Sequence, residues 1–150
     1  MTCIAWDGYD LAADKQISNN GLKRTTTKIW RINSSIFFGA SGDAAAAMEM
    51  KAWVEGGRQL DAFPEIQRDD ETNCSAFVIE RVYGGTKLLV YEKSPHPMVF
   101  EDKVWATGSG RDFALAAMHL GYGAEAAVGV ACHFDSGCGM GIDVLSVNEQ

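Results

Sequence analysis

Thr2 stands directly behind the initiator Met1. Removal of Met1 before so small a residue would leave a hydroxyl and a free α-amine on one residue. The amine, with an ordinary pKa of about 7.7–8.0, can take the hydroxyl proton near neutral pH, so the pair is a nucleophile carrying its own base. Other chemistry-bearing residues give weaker patterns. Cys3, Cys74, Cys132 and Cys138 form no CxxC pair, and the spacing of Cys132, His133 and Cys138 fits no common zinc pattern. Reduced thiols packed as small hydrophobes are the expectation, with no metal and no cofactor. His96 lies between prolines, while His119 and His133 fall near helix ends, where an imidazolium favours the helix dipole. No histidine is assigned a catalytic role.

The elements that must position Thr2 begin at once. Residues 2–6 read as a strand, Asp7-Gly8 as a tight turn and residues 9–14 as the returning strand. Residues 15–27, rich in Asn, Ser and Thr, read as a loop. Residues 28–32 alternate with period two, Asn33-Ser34 turns, and residues 35–40 form a buried strand. The period then changes. Asp43 caps an alanine-rich helix over residues 44–55, stopped by Gly56-Gly57. The N–H of Gly42, at this strand-to-helix junction, is free of helix bonding.

Residues 58–73 are polar and acidic, an exposed connection. Residues 74–81 and 87–93 make a hairpin around Tyr83-Gly84-Gly85, and residues 99–106 a further strand. Thr107-Gly108-Ser109-Gly110 precedes helices over 112–120 and from 124 to 132 or 133, and the glycine-rich run 137–141 leads into a strand over 142–147. Strands and helices come in runs rather than in βαβ alternation, which points to two stacked antiparallel sheets with helices outside. By residue type alone, Lys28 reads as a solvated strand-end lysine, Asp14 as a turn residue, and Ser109 and Asp135 as helix-end caps.

The chain is 150 residues long, with the apolar and charged fractions of one ordinary domain, 1–150, and enough length for a core without staples. A net charge of −7 argues against nucleic acid, because phosphate binding needs a basic face. No apolar run approaches the roughly 18–20 residues that cross a bilayer. Nor is there the basic-then-apolar layout of a signal peptide, so a cytoplasmic location is expected.

Taken in order, Thr2-Cys3-Ile4, Leu11-Ala12-Ala13-Asp14, Lys28, Gly39-Ala40-Ser41-Gly42-Asp43-Ala44-Ala45, Thr107-Gly108-Ser109-Gly110, and Asp135 with Cys138-Gly139 form a series. With these pieces the chain resembles, over nearly its whole length, the proteasome β-subunit family of N-terminal-nucleophile (Ntn) hydrolases, especially its bacterial HslV-like branch. The resemblance implies an α+β fold, a four-layer αββα sandwich of two antiparallel sheets flanked by helices. It implies a threonine-type endopeptidase in which Thr2 Oγ attacks peptide bonds once Met1 is gone.

Residue by residue, it implies that Lys28 lowers the pKa of the Thr2 hydroxyl and that Asp14 orients Lys28. Ser109 and Asp135 would hydrogen-bond around the free amine, and the N–H of Gly42 would meet the oxyanion. Ile17, Thr26, Ala40 and Ala44 match the substrate pocket, where small and apolar residues favour an uncharged side chain. Cys138 replaces a serine that is usual in the family, a weaker donor at that position. The implied partners are a polypeptide substrate, further copies of the chain in a homo-oligomeric ring, and an ATP-dependent unfoldase. A catalytically inactive scaffold on the same fold and an Ntn amidohydrolase acting on a small molecule are the alternative readings.

Overall fold

The opening hairpin forms where the sequence places it, as β1 (Ile4–Trp6) and β2 (Asp10–Asp14), paired antiparallel with Ile4 opposite Ala13 and Trp6 opposite Leu11. Asp7 makes the turn: its Oδ1 accepts the N–H groups of Tyr9 (2.8 Å) and Asp10 (2.7 Å). The computed structural model describes residues 2–148, so Met1 and the bond whose cleavage would free the Thr2 amine lie outside the described residues. The described chain divides into two compact units. One runs through Ile29 and resumes at Asp102; the other is Trp30–Glu101.

In the first unit, β1 and β2 are the centre of a four-stranded antiparallel sheet. Its edges are β10 (Trp105–Thr107), beside β1, and β11 (Ile142–Ser146), beside β2. Helices α3 (Arg111–His119) and α4 (Ala124–Phe134) pack together and on this sheet. Their buried faces are short side chains, Ala114, Ala117, Ala124, Ala127, Val128 and Ala131, set against Cys3, Ala5, Ala12 and Ala106. Alanine against alanine lets backbones approach closely, and that brings the ends of the elements within hydrogen-bonding reach of one another. Asp7 takes part here too, because its Oδ2 accepts the N–H of Ala124 (2.8 Å) at the start of α4.

The same unit corrects one expectation. Residues 15–27 are not a loop but contain a hairpin, β3 (Gln16–Asn19) and β4 (Leu22–Thr25), with Gln16 opposite Thr25. Its turn is Asn20-Gly21, at φ 52° and 79°. An Asn-Gly pair is the residue choice such a left-handed two-residue turn demands, so the signal was present and the polar composition masked it.

The second unit holds a five-stranded sheet in the order β5 (Ile29–Arg31), β6 (Ile36–Gly42), β7 (Cys74–Val82), β8 (Gly85–Tyr91), β9 (Met98–Phe100). Helix α1 (Ala44–Glu55) begins where the sequence predicts, with Asp43 Oδ1 accepting the N–H of Ala46 at 2.8 Å. Ala46, Met50, Trp53 and Val54 recur at helical spacing and lie buried with Phe38, Ala76 and Val78. Trp53 meets Phe63 and Tyr91 edge-on, at 5.0 and 5.2 Å between ring centroids.

Two further expectations change in this region. The 58–73 connection is anchored rather than merely exposed: a 3-10 turn (Leu60–Ala62) and the short α2 (Glu65–Arg68) bury Phe63 and Gln67. Gln67 Nε2 donates to the carbonyls of Cys74 (3.0 Å) and Glu92 (2.7 Å). Residues 99–106 form two strands in two different sheets, β9 on β8 and β10 on β1. The charged stretch Glu101-Asp102-Lys103 separates them and is exposed.

Candidate active site

Strand β2 ends in Asp14, whose side chain is wholly shielded from solvent. A buried carboxylate requires partners, and four donors converge on this one. Oδ1 accepts the N–H of Cys3 (3.0 Å) and the ammonium of Lys28 (2.7 Å); Oδ2 accepts the N–H groups of Gln16 (3.2 Å) and Gly139 (3.0 Å). Three of these come from separate stretches of chain: the start of β1, the segment before β5, and the glycine-rich turn before β11. Asp14 therefore ties together segments that the sequence holds more than a hundred residues apart.

Lys28 is only 7% exposed and extends past Asp14 to donate to Thr2 Oγ1 at 3.2 Å. Thr2 itself is 6% exposed. An ammonium donating to a hydroxyl oxygen stabilises the alkoxide and lowers the cost of removing the proton. On the other side, the Thr2 N–H donates to Ser109 Oγ (3.3 Å), and Ser109 donates in turn to Asp135 Oδ2 (2.7 Å). Asp135 Oδ1 accepts the N–H of Gly137 (2.8 Å). The Ser109 hydroxyl, then the Gly137 N–H, hold the Asp135 carboxyl below the ordinary carboxylate value. A lasting negative charge at the end of this chain would favour positive charge on the residue 2 nitrogen wherever that nitrogen is a free amine.

The cysteines are thiols. Burial first, then neighbouring groups including Asp14, pushes Cys3 far up. Cys138 is pushed up to about 12 by burial, with Asp14 and Asp135 adding to it, and Cys74 to about 11, again mainly by burial. Thiolate nucleophiles need the opposite shift. Cys138 serves as a donor, its Sγ 3.4 Å from Asp135 Oδ2. Among the described residues, no group of three or more His, Cys, Asp or Glu side chains is placed to hold a metal ion.

Thr2, Asp14, Lys28, Ser109 and Asp135 thus form one hydrogen-bonded set within the first unit. Lys28 and Asp14 are neither the solvated lysine nor the turn residue that their types suggest alone. Ile17 and Thr26 belong to the same unit, on β3 and just beyond β4, both half-buried. Gly42 ends β6 in the second unit, with Ala40 buried on the same strand and Ala44 exposed at the start of α1; the oxyanion role of Gly42 and the pocket roles of these four residues rest on the resemblance. Sequence reasoning missed the N–H groups of Cys3, Gln16 and Gly139 as ligands of Asp14, and backbone donors leave no residue-type signal. It also missed the N–H of Gly110, which donates to the Thr2 carbonyl at 3.1 Å. A groove of about 290 Å³ between α1 and the 3-10 turn, lined by Ala52, Trp53, Gln59 and Pro64 among others, contains none of the site residues.

Antiparallel sheets flanked by helices, in this order, are the α+β architecture of the Ntn-hydrolase fold, of the proteasome and HslV type. The chain is similar to the crystal structure of eukaryotic HslV from Trypanosoma brucei, at 22% identity and a TM-score of 0.66, over 96% of this chain and 97% of that one. This is a likeness of fold, and to a eukaryotic protein rather than a bacterial one. No family model and no curated protein matches the sequence. No helix among the described residues is long and apolar enough to cross a membrane.

Proposed function

We propose that the chain is an N-terminal threonine peptidase of the proteasome and HslV type, active once Met1 is removed. One observation carries the reading: Thr2 Oγ1 lies 3.2 Å from the ammonium of a lysine that is itself 2.7 Å from a buried carboxylate, while the Thr2 nitrogen faces the Ser109–Asp135 pair. A hydroxyl with a cation on one side and its own amine as base has what acyl transfer requires.

In this mechanism Thr2 Oγ attacks the scissile carbonyl carbon and its proton passes to the α-amine. Lys28 stabilises the forming alkoxide, and Asp14 holds Lys28 in place. Collapse of the tetrahedral intermediate breaks the C–N bond and the α-ammonium gives its proton to the departing amine. An ester on Thr2 remains, and water, deprotonated by the same amine, hydrolyses it. Ser109 and Asp135 keep the amine oriented and favour its protonated form between the two transfers.

The fold likeness supports the wider reading of a homo-oligomeric ring with an ATP-dependent unfoldase as partner and polypeptide as substrate. Four free cysteines suit a reducing, cytoplasmic compartment. Intact mass of the purified protein tests the first requirement: a mature chain beginning at Thr2 is expected. Thr2→Ala is then expected to abolish cleavage of peptide amides, and turnover by that variant equal to the parent would overturn the reading. Activity confined to small amides would transfer the same nucleophile to a small-molecule amidohydrolase. Full retention of Met1 in soluble assemblies would leave a scaffold.

A further inference from the structure

We propose that Gly108 is a positioning residue for Thr2, and that its missing side chain sets where the nucleophile stands; the catalytic part of this proposal rests on the peptidase reading above. The turn Gly108-Ser109-Gly110 grips residue 2 by both of its backbone polar groups. Ser109 Oγ accepts the Thr2 N–H at 3.3 Å, and the Gly110 N–H donates to the Thr2 carbonyl at 3.1 Å. Between these two contacts the backbones of Gly108 and Thr2 touch. A Cβ on Gly108 would lie 2.1 Å from the Thr2 carbonyl oxygen, 2.6 Å from its carbon and 3.0 Å from Thr2 Cβ.

Neither side can retreat freely. The turn is fixed behind by Gly110, where a Cβ would lie 2.9 Å from both Ala131 Cβ and Cys3 Cβ. It is fixed ahead by Arg111, whose N–H and Nη1 both donate to the Gly108 carbonyl, at 3.2 and 3.0 Å. Residue 2 is held by the next residue's N–H, bound to Asp14 at 3.0 Å. Ordinary van der Waals contact would therefore require a shift of the order of 1 Å in Thr2 or in the turn. A shift of Thr2 away from the turn takes the 3.3 Å Thr2–Ser109 contact past hydrogen-bond range and displaces the hydroxyl from its 3.2 Å contact with Lys28, and a shift of the turn breaks the Ser109 contact alone. A misplacement of about 1 Å in a reacting group costs about 10²-fold in rate.

The left-handed backbone at Gly108, φ 95°, would favour glycine on its own account, so the clamp must be separated from simple strain. Gly121 supplies the control: φ is 99°, and no heavy atom lies within 4 Å of an added Cβ. Gly108→Ala and Gly121→Ala share the backbone strain, and only the first meets Thr2. The test compares the two variants in the full chain by peptide-amide kinetics, thermal melting and amide hydrogen exchange. Both are expected to melt lower, Gly108→Ala the more, because it adds the contact with Thr2 to the shared backbone strain. Gly108→Ala is expected to lose about 10²-fold in kcat with KM little changed, while Gly121→Ala keeps the parent kcat.

The Gly110 N–H is expected to exchange much faster in Gly108→Ala than in Gly121→Ala. Parent-like kcat in Gly108→Ala would overturn the proposal. If the parent cleaves no peptide, the peptidase reading fails and exchange alone decides the clamp: unchanged protection of the Gly110 N–H in Gly108→Ala overturns it. Should Gly108→Ala not fold, the parent protein decides, since a Gly110 N–H exchanging as fast as that of exposed Gly84 is incompatible with a grip on residue 2.

Discussion

The two units build their cores from different side chains. Around α1 the core is aromatic and bulky: Phe38, Met50, Trp53, Phe63 and Tyr91 with Val78 and Leu89. Around α3 and α4 it is mostly short: alanines with Cys3, Val128 and Cys138, and Met118 as the one long side chain among the buried residues described there. The first kind of core gains from area and from edge-on ring contacts. The second gains less per residue but brings backbones close, and there the chain places a buried ion pair, residue 2 bound through its N–H and carbonyl, and a carboxylate held by three backbone N–H groups. Close backbones suit a site whose geometry depends on main-chain donors.

That contrast can be broken most severely at Asp14. Asp14→Leu leaves a buried ammonium and three N–H groups without their acceptor, and is expected to cost at least about 3–5 kcal/mol in denaturant unfolding. Lys28→Met is expected to cost less, because Asp14 keeps its three N–H donors, yet to lose peptidase activity as fully. Equal destabilisation by the two changes would contradict the account of Asp14 as the hub.

In the second unit, Phe38→Ala opens a cavity in a packed aromatic core and is expected to cost about 3–5 kcal/mol. The reverse error, Ala127→Leu, overfills the short-chain core of the first unit for about 1–3 kcal/mol. It should also lower activity, since α4 would stand away from β1 and β2. Asp43→Ala removes the α1 cap alone, for about 1 kcal/mol by thermal melting.

The smallest effect is one of pH. Asp135 sits below its unfolded value, so it adds stability above the unfolded pKa of about 3.9 and loses that contribution as pH falls through the folded value. Ser109→Ala removes the chief cause of the shift. The parent's melting advantage over this variant should therefore shrink as pH falls below about 4, and a difference that grew there would reverse the sign of the argument.

Local signals read well in the chain. Asp7-Gly8 and Tyr83-Gly84 turn where alternating strands need them, and Asp43 starts α1. Asn20-Gly21 was equally local, but the polar run around it read as loop because β4 is exposed along its whole length and shows no apolar face. The break between β9 and β10 was marked by the charged stretch Glu101-Asp102-Lys103, but charged residues also stand on exposed strand faces, so the stretch alone did not show that two sheets share this segment. For the site, Thr2 was legible from its position and its chemistry. Lys28, Asp14, Ser109 and Asp135 took their roles from a resemblance, because a lone lysine or aspartate at a strand end carries no sign of its partner.

The sequence by itself determined the tight turns, the Asp43 cap, the acidic charge and a hydroxyl at the second residue, because each depends on composition or on neighbours a few residues away. Tertiary structure alone decided that Asp14 would be buried, that Cys3 and Gly139 would lend it their N–H groups, and that Gly108 would stand against Thr2. The reason is physical. Main-chain donors are alike at every residue but proline, so only the packing of short side chains, which sets how near two backbones come, selects which of the distant ones make the site.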